Sequence, residues 1–365
     1  RRRCVPLGME IAAVQVPLSR IKPHADVLVG GDQPRGSQVN FKFEFGAAAG
    51  RDKARVALLQ HLQEVGVVEA DADRHTANGD AHVDLLTTAG ACLGNGDGTF
   101  QPMLLFPARY VVKAVDLDED GRPDLVGKLI TPPSSLSLTF QHGNGDGTFA
   151  AAVTLAPVCS QPPTLAIGDF DGDGHMDVAE PGRNVDADEI HLGCGNGAFL
   201  AGPRQVAIPS PARFVATGNF GGDPHPDLLV VSKSAMSMSV LLSNGLASWA
   251  PPDSLVLPGT PGAQGPALGD LNGDGRDDIV LGYSDLAVIS VWLTQPDGHP
   301  GTRTDLPAAR ATTTEVALAD LDHDGLLDIV YLPSANPSIG IEWLRGLGGG
   351  SFGAAQGIPL PAMFG

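Results

Sequence analysis

The sequence predicts an all-β fold made of repeats, and three observations predict it. An acidic nonapeptide recurs along the 365 residues, with carboxylates at positions 1, 3, 5 and 9 and glycine at position 6, as in Asp169-Phe-Asp-Gly-Asp-Gly-His-Met-Asp177. The ninth-position acids are Asp26, Asp84, Asp124, Asp177, Asp227, Asp278 and Asp328, 40 to 58 residues apart and mostly near 50. Short apolar runs flank each nonapeptide, and turns of the Asn-Gly-Asp-Gly kind follow. Four short antiparallel strands per unit of about 50 residues is the arithmetic of a propeller blade. Seven units then give a seven-bladed β-propeller of four-stranded antiparallel blades over 12–365, behind a tail at 1–11. The blades run approximately 12–60, 61–108, 109–160, 161–211, 212–262, 263–310 and 311–365.

Within each unit the elements follow one order. A short apolar strand precedes the nonapeptide: Leu165–Gly168, Phe214–Gly218, Val316–Ala319. Small residues such as Ala166, Ala216, Ala267 and Ala317 suit an innermost strand, where backbones converge on an axis. A second strand starts on the ninth residue, as in Asp227–Val231, Asp278–Leu281 and Asp328–Tyr331. A third alternates, as in Ser239–Leu242 and Ile339–Trp343. The hairpin signals Asn95-Gly-Asp-Gly-Thr-Phe100 and Asn144-Gly-Asp-Gly-Thr-Phe149 come next, because Asn-Gly and Asp-Gly accept the positive φ of tight turns. Fourth strands are expected at Leu155–Pro157, Val206–Pro209, Val256–Pro258 and Ile358–Pro361. The first unit diverges most; Phe41, Phe43 and Phe45 alternate there like a strand with one apolar face.

Alternate carboxylates in a tight loop turn hard oxygen donors toward one point, and the glycine permits the bend. That donor set suits Ca²⁺, which takes oxygens at about 2.3–2.6 Å. Four copies are intact: Asp116, Asp118, Asp120 and Asp124; Asp169, Asp171, Asp173 and Asp177; Asp270, Asn272, Asp274 and Asp278; and Asp320, Asp322, Asp324 and Asp328. They imply about four calcium ions. Thr76, Asn78, Asp80 and Asp84 keep the spacing with Ala81 in place of glycine, and make a weaker metal loop. Asn219, Gly221, Asp223 and Asp227 have lost two donors and are joined by Pro224 at position 6. In the first unit Arg20 and Lys22 occupy positions 3 and 5, where they repel a cation.

Composition agrees. Asp outnumbers Glu 33 to 9, and 15 of those Asp are ligand carboxylates of the four intact loops. A net charge of −19 argues against a nucleic-acid partner. No apolar run approaches the ~18 residues of a membrane helix, so membrane insertion is not expected. Gly and Pro together make 77 residues, which favours turns and short strands. The four cysteines show no zinc or haem spacing, leaving disulfides and buried thiols both open.

On the motif Asp-x-(Asp/Asn)-x-Asp-Gly-x-x-Asp, an apolar strand, and Asn-Gly-Asp-Gly-Thr-Phe, the chain resembles the FG-GAP/VCBS repeat family. Its members include the propellers of integrin α-chain heads and of many secreted bacterial proteins. The resemblance covers about 12–365. It implies that the nonapeptide joins the first two strands of a blade and binds Ca²⁺. The ligands it implies are the side chains at positions 1, 3, 5 and 9 and the carbonyl at position 7, that of Arg122, His175, Arg276 or Leu326.

Three functions are compatible with this reading. The first is a non-catalytic, calcium-stabilised recognition, adhesion or assembly module, secreted, on the cell surface or in the periplasm, with a protein partner or a larger extracellular assembly. Loops on a stiff scaffold are where binding usually resides, and extracellular calcium modules fill at about 10⁻⁴–10⁻³ M. The second is a secreted polysaccharide lyase or hydrolase; no G-x-S-x-G, HExxH or P-loop occurs, and Glu is scarce. The third is a lectin, for which Trp249, Trp292 and Trp343 read as blade packing instead of sugar platforms. Position 7 is His in four units (His24, His82, His175 and His225), which suggests a row of outward imidazoles on one face.

Overall fold

The computed structural model describes residues 85–358, apart from 87–89, 96–100, 103, 106–111, 132–134, 159–163, 181–186, 201–203, 208–211, 213, 233–235, 247, 250–252, 259–261, 264, 309–312 and 334–340. The whole first unit lies outside the described residues, with His24. So do Thr76, Asn78, Asp80 and Asp84 of the second unit, with His82. The described residues are all-β, with no helix long and apolar enough to cross a membrane.

Five four-stranded antiparallel sheets follow one another along the chain. The first consists of Val112–Val115, Asp124–Thr131, Ser135–Gln141 and Val153–Val158. The second consists of Ala166–Gly168, Asp177–Glu180, Ala187–His191 and Arg204–Ala207. Phe214–Gly218, Asp227–Ser232, Ser237–Leu241 and Asp253–Val256 form the third. Ala267–Gly269, Asp278–Gly282, Val288–Thr294 and Pro300–Pro307 form the fourth. Thr313–Ala319, Asp328–Pro333, Ile341–Leu344 and Gln356–Ile358 form the fifth, with a small hairpin of Gly346–Gly348 and Ser351–Phe352 between its last two strands. Ahead of them, Leu85–Leu86, Gly90–Cys92 and Leu104–Leu105 make a three-stranded sheet. Each strand pairs with its neighbour in sequence order, so every connection is a hairpin, with the small Gly346–Phe352 hairpin set into the last one of the fifth sheet.

The register starts at the nonapeptide. In all five sheets the residue before position 1 pairs with the ninth-position acid: Val115 with Asp124, Gly168 with Asp177, Gly218 with Asp227, Gly269 with Asp278, Ala319 with Asp328. The nine residues are thus the loop of the first hairpin of each sheet. Fourth strands begin two or three residues earlier than the apolar pattern indicates, as at Asp253–Val256. Backbone pairing there follows the third strand, not the run of apolar side chains.

Second strands of the second to fifth sheets are buried along their whole length, as in Asp227–Ser232 and Asp328–Pro333. Both their faces meet neighbouring sheets, which is why they read as continuous apolar runs. Phe140 and Leu138 of the first sheet pack with Leu165 and Val178 of the second. Ile190 and Leu192 pack with Leu228 and Leu241 of the third. Leu229 and Met238 pack with Ile279, Tyr283 and Trp292 of the fourth, and Val280 and Ile289 with Ile329, Tyr331 and Leu344 of the fifth. The core is therefore a series of layers between successive sheets. Trp292 is 3 % exposed, and Trp249 and Trp343 are partly buried against these layers. Cys194 is disulfide-bonded, whereas Cys92 is a buried free thiol whose pKa burial pushes up to about 11.

Candidate metal centres

Each intact nonapeptide winds around its own first carboxylate. Asp169 Oδ1 accepts from the amides of Gly172 (2.8 Å) and Asp173 (3.1 Å), and its Oδ2 from Gly174 (3.0 Å). Asp270 accepts the matching amides of Gly273, Asp274 and Gly275. Asp116 and Asp320 accept those of Asp120 and Gly121, and of Asp324 and Gly325. The position-5 carboxylate accepts the position-7 amide in all four, at 2.9–3.0 Å. Position 6 has φ between +84° and +93° at Gly121, Gly174, Gly275 and Gly325, and nothing lies within 4 Å of where a Cβ would stand. Glycine is needed there for the torsion, not for room. Position 4 is left-handed too, at Glu119, Gly172, Gly273 and His323, a turn requirement the sequence pattern does not reveal.

The ninth-position acid has a second task. It is 0–1 % exposed in all five sheets. Asp177 Oδ2 accepts from the amide of Phe170 at 2.8 Å, and Oδ1 from that of Gly193 at 2.6 Å. Asp124, Asp278 and Asp328 make the same pair of bonds, to Leu117 and Gly143, Leu271 and Thr294, and Leu321 and Gly346. One carboxylate thus ties the loop to the end of the third strand. Its position-2 partner is always large and buried: Leu117, Phe170, Phe220, Leu271, Leu321. That recurring Leu or Phe between two acids was the missed signal. Burial pushes Asp177 up to about 7 and Asp278 to about 6, against amide bonds that pull them down. Asp124 and Asp328 are raised by burial as well.

The acids do converge. Ligand oxygens of Asp116, Asp118 and Asp120 lie within 4.8 Å of one another, as do those of Asp169, Asp171 and Asp177, and of Asp320, Asp322 and Asp328. In the 270–278 loop the three carboxylates do not close to that distance, and Asn272 Nδ2 donates to Asp274 Oδ2 at 3.2 Å. The weaker loop expected from Thr76, Asn78, Asp80 and Asp84 falls outside the described residues, so its donors are not placed by this geometry.

Comparison with known proteins fits this geometry. The FG-GAP-like repeat family matches residues 116–179 and 219–281, each match beginning at position 1 of a nonapeptide. Residues 116–179 and 219–281 are FG-GAP-like repeats. No curated protein sequence matches it. A lectin of Agrocybe aegerita, whose structure explains recognition of non-reducing terminal N-acetylglucosamine, has a TM-score of 0.58 at 18 % identity, over 77 % of this chain and 78 % of the lectin. A periplasmic gluconolactonase of Pseudomonas aeruginosa has a TM-score of 0.51 at 14 % identity, over 73 % of this chain and 76 % of the enzyme. At these identities the likeness is one of fold, and the fold is of β-propeller type.

Calcium is the ion the FG-GAP-like repeat implies, and the residues fit it. The donors are carboxylate and amide oxygens, as a hard cation requires. Each carboxylate oxygen of Asp177, Asp278 and Asp328 has spent one lone pair on an amide and keeps another. Around the acidic loops, basic side chains are unevenly placed. His142 Nδ1 lies 2.6 Å from Asp118 Oδ2 and 3.6 Å from Asp124 Oδ1, adding a nitrogen donor to the 116–124 loop. Arg345 pairs with Asp322 and Asp324.

The degraded FG-GAP loop at 219–227 keeps its shape without the donors. Asp227 accepts from Phe220, Gly221 and Ser243, and Asp223 from His225. Its position 1 is tied to the next sheet through Asp277, and Arg276 lays its guanidinium over Gly222.

The two described position-7 histidines, His175 and His225, are not open imidazoles. His175 Nδ1 meets Glu119 Oε1 of the preceding loop at 2.5 Å, and its ring stands over Gly195; the ring of His225 stands over Gly245. Glu119 holds the His175 imidazole above the ordinary histidine range. Beside the 169–177 loop a cleft of ≈ 370 Å³ is lined by Asp171, Asp173, His175, Leu192, Cys194 and Arg204.

Proposed function

We propose that the chain is a non-catalytic, calcium-stabilised recognition or assembly module working outside the cytosol. In this reading 12–365 forms one seven-bladed ring and docks a protein partner, or a larger extracellular assembly, through loops on a propeller face. The observation that carries it is the repeated nonapeptide, whose acids gather oxygen donors at one corner of the first, second and fifth sheets. Such loops fill with calcium at extracellular concentrations and not at cytosolic ones. The disulfide at Cys194 supports an oxidising location, whether secreted, on the surface or periplasmic. The ligands we assign are the side chains at positions 1, 3, 5 and 9 of the four intact loops and the position-7 carbonyls of Arg122, His175, Arg276 and Leu326, for about four ions. Thr76, Asn78, Asp80 and Asp84 are assigned a weaker site on their spacing alone.

The test is a thermal melt with calcium and with a chelator, joined to ion counting. A clear loss of stability in chelator and about four ions per chain are expected. An unchanged melt with no bound ion overturns the reading.

A carbohydrate ligand is the second reading, and the cleft beside the 169–177 loop favours it. Its carboxylates, imidazole and guanidinium can hydrogen-bond hydroxyl groups. Burial of Trp292 and partial burial of Trp249 and Trp343 weigh against a stacking platform. A glycan array separates the two, and a product assay on polysaccharides tests for lyase or hydrolase activity.

A further inference from the structure

Arg345 follows the Ile341–Leu344 strand and stands one residue before Gly346, whose amide donates to Asp328 Oδ1 at 2.7 Å. The same place, ahead of the amide that binds the ninth-position acid, is held by His142, Leu192 and Leu293 in the other intact units. Only the 320–328 loop has a permanent cation there, since a guanidinium does not lose its proton in proteins. Its Nε is 2.5 Å from Asp322 Oδ2 in an ion pair, and its Nη2 donates to Asp324 Oδ2 at 2.8 Å. These are positions 3 and 5, two of the assigned ligands. Among the described residues no ion pair reaches Asp169, Asp171, Asp173, Asp270 or Asp274.

We propose that Arg345 is a built-in counter-ion that ranks the intact metal loops, so that of those four the 320–328 loop takes its calcium last and holds it most weakly. This rests on the calcium reading above. A divalent ion entering that loop approaches a fixed positive charge already bonded to two of its ligands. Arg345 must swing out, or share those carboxylates with the ion. Its side chain is 43 % exposed, so water screens the repulsion and leaves an effect of about tenfold in affinity. The same pairing neutralises two crowded acids when calcium is scarce. The fifth sheet's corner therefore depends on calcium less than the corners capped by leucine.

Calcium titrations of the full chain, read by native mass spectrometry and calorimetry, test this. In the wild type the last ion adds at about ten times the concentration the others need. In Arg345→Leu, and equally in Arg345→Gln, that gap closes. Arg345→Lys keeps the charge and keeps the gap. Adding Asp322→Asn to Arg345→Leu reopens it, which places the ion at this loop. Wild-type binding that does not respond to residue 345 overturns the proposal and leaves the calcium reading intact. Absence of bound ions in every variant overturns both.

Discussion

Asp277 and Asn219 clasp each other across two sheets: the Asn219 amide donates to Asp277 Oδ2 at 2.8 Å, and the Asp277 amide donates to the Asn219 carbonyl at 2.9 Å. The clasp falls on the loop that has lost its oxygen donors. A neighbouring sheet does there what an ion is assigned to do elsewhere. Asp277→Ala removes the acceptor of a part-buried amide. It should cost about 1–3 kcal/mol, seen as a lower urea midpoint at unchanged slope. The loss should be much the same with calcium or chelator, because Asp277 is not among the assigned ligands of its own 270–278 loop and the 219–227 loop is assigned no ion. A loss that vanishes in calcium would contradict this assignment.

Positions 5 and 9 of one nonapeptide should separate by mutation. Asp177→Asn exchanges a buried acceptor oxygen for an amino group facing a backbone N–H, and should cost about 2–4 kcal/mol with or without calcium. Asp173→Asn touches an exposed ligand and should release one ion with little change in the chelated protein's melt. Ion counts and paired melts distinguish the two. Equal behaviour of both variants would mean that position 9 acts only through the ion.

Chelated protein should become less stable as pH rises from about 4 to 7. The folded carboxyls of Asp177 and Asp278 sit near 7 and 6, above the ~3.9 of an unfolded aspartate. A raised folded pKa means the folded chain holds more protons in that window. Its stability contribution is full below the unfolded value and is lost as pH climbs through the folded one. Calcium favours the ionised forms and should flatten the slope. Melts at pH 5 and 7, each with calcium and with chelator, check it: the calcium-dependent gain should be larger at pH 7.

Gly275→Ala adds a methyl to open space, yet at φ +85° it should cost about 1–2 kcal/mol through backbone strain alone. Gly147→Ala should cost more, since φ is +82° and a Cβ would also stand 2.6 Å from Leu93 Cδ1. Denaturant midpoints of the two variants give the comparison.

Much of this fold is written locally, which is why the sequence discloses it. Asp-Gly turns and the ninth-position acid are contiguous signals, and they placed the first strands expected at Leu165–Gly168, Phe214–Gly218 and Val316–Ala319 within three residues of where they begin and at the residue where they end. Features that depend on neighbours were hidden. Asp227 survives in a unit that has lost two donors, and only the structure shows why: it anchors Phe220 and Ser243 by their amides. The hairpin at Gln295–His299 lacks the Asn-Gly-Asp-Gly signature, yet closes with the Gln295 amide donating to the His299 carbonyl. His175 read as an outward imidazole; its contact with Glu119, 56 positions earlier, belongs to the packing of one sheet on the next. Arg345 reaches the 320–328 loop from a strand end 21 positions after Asp324, beyond any nonapeptide pattern.

The buried acid at the start of every second strand has an evolutionary consequence. Because it secures its hairpin through backbone amides, a unit can shed its ligand set and remain a sound part of the array. The 219–227 loop is such a unit, with side chains no longer conscripted for coordination. Surface chemistry can therefore diversify one repeat at a time, while the architecture beneath is inherited unchanged.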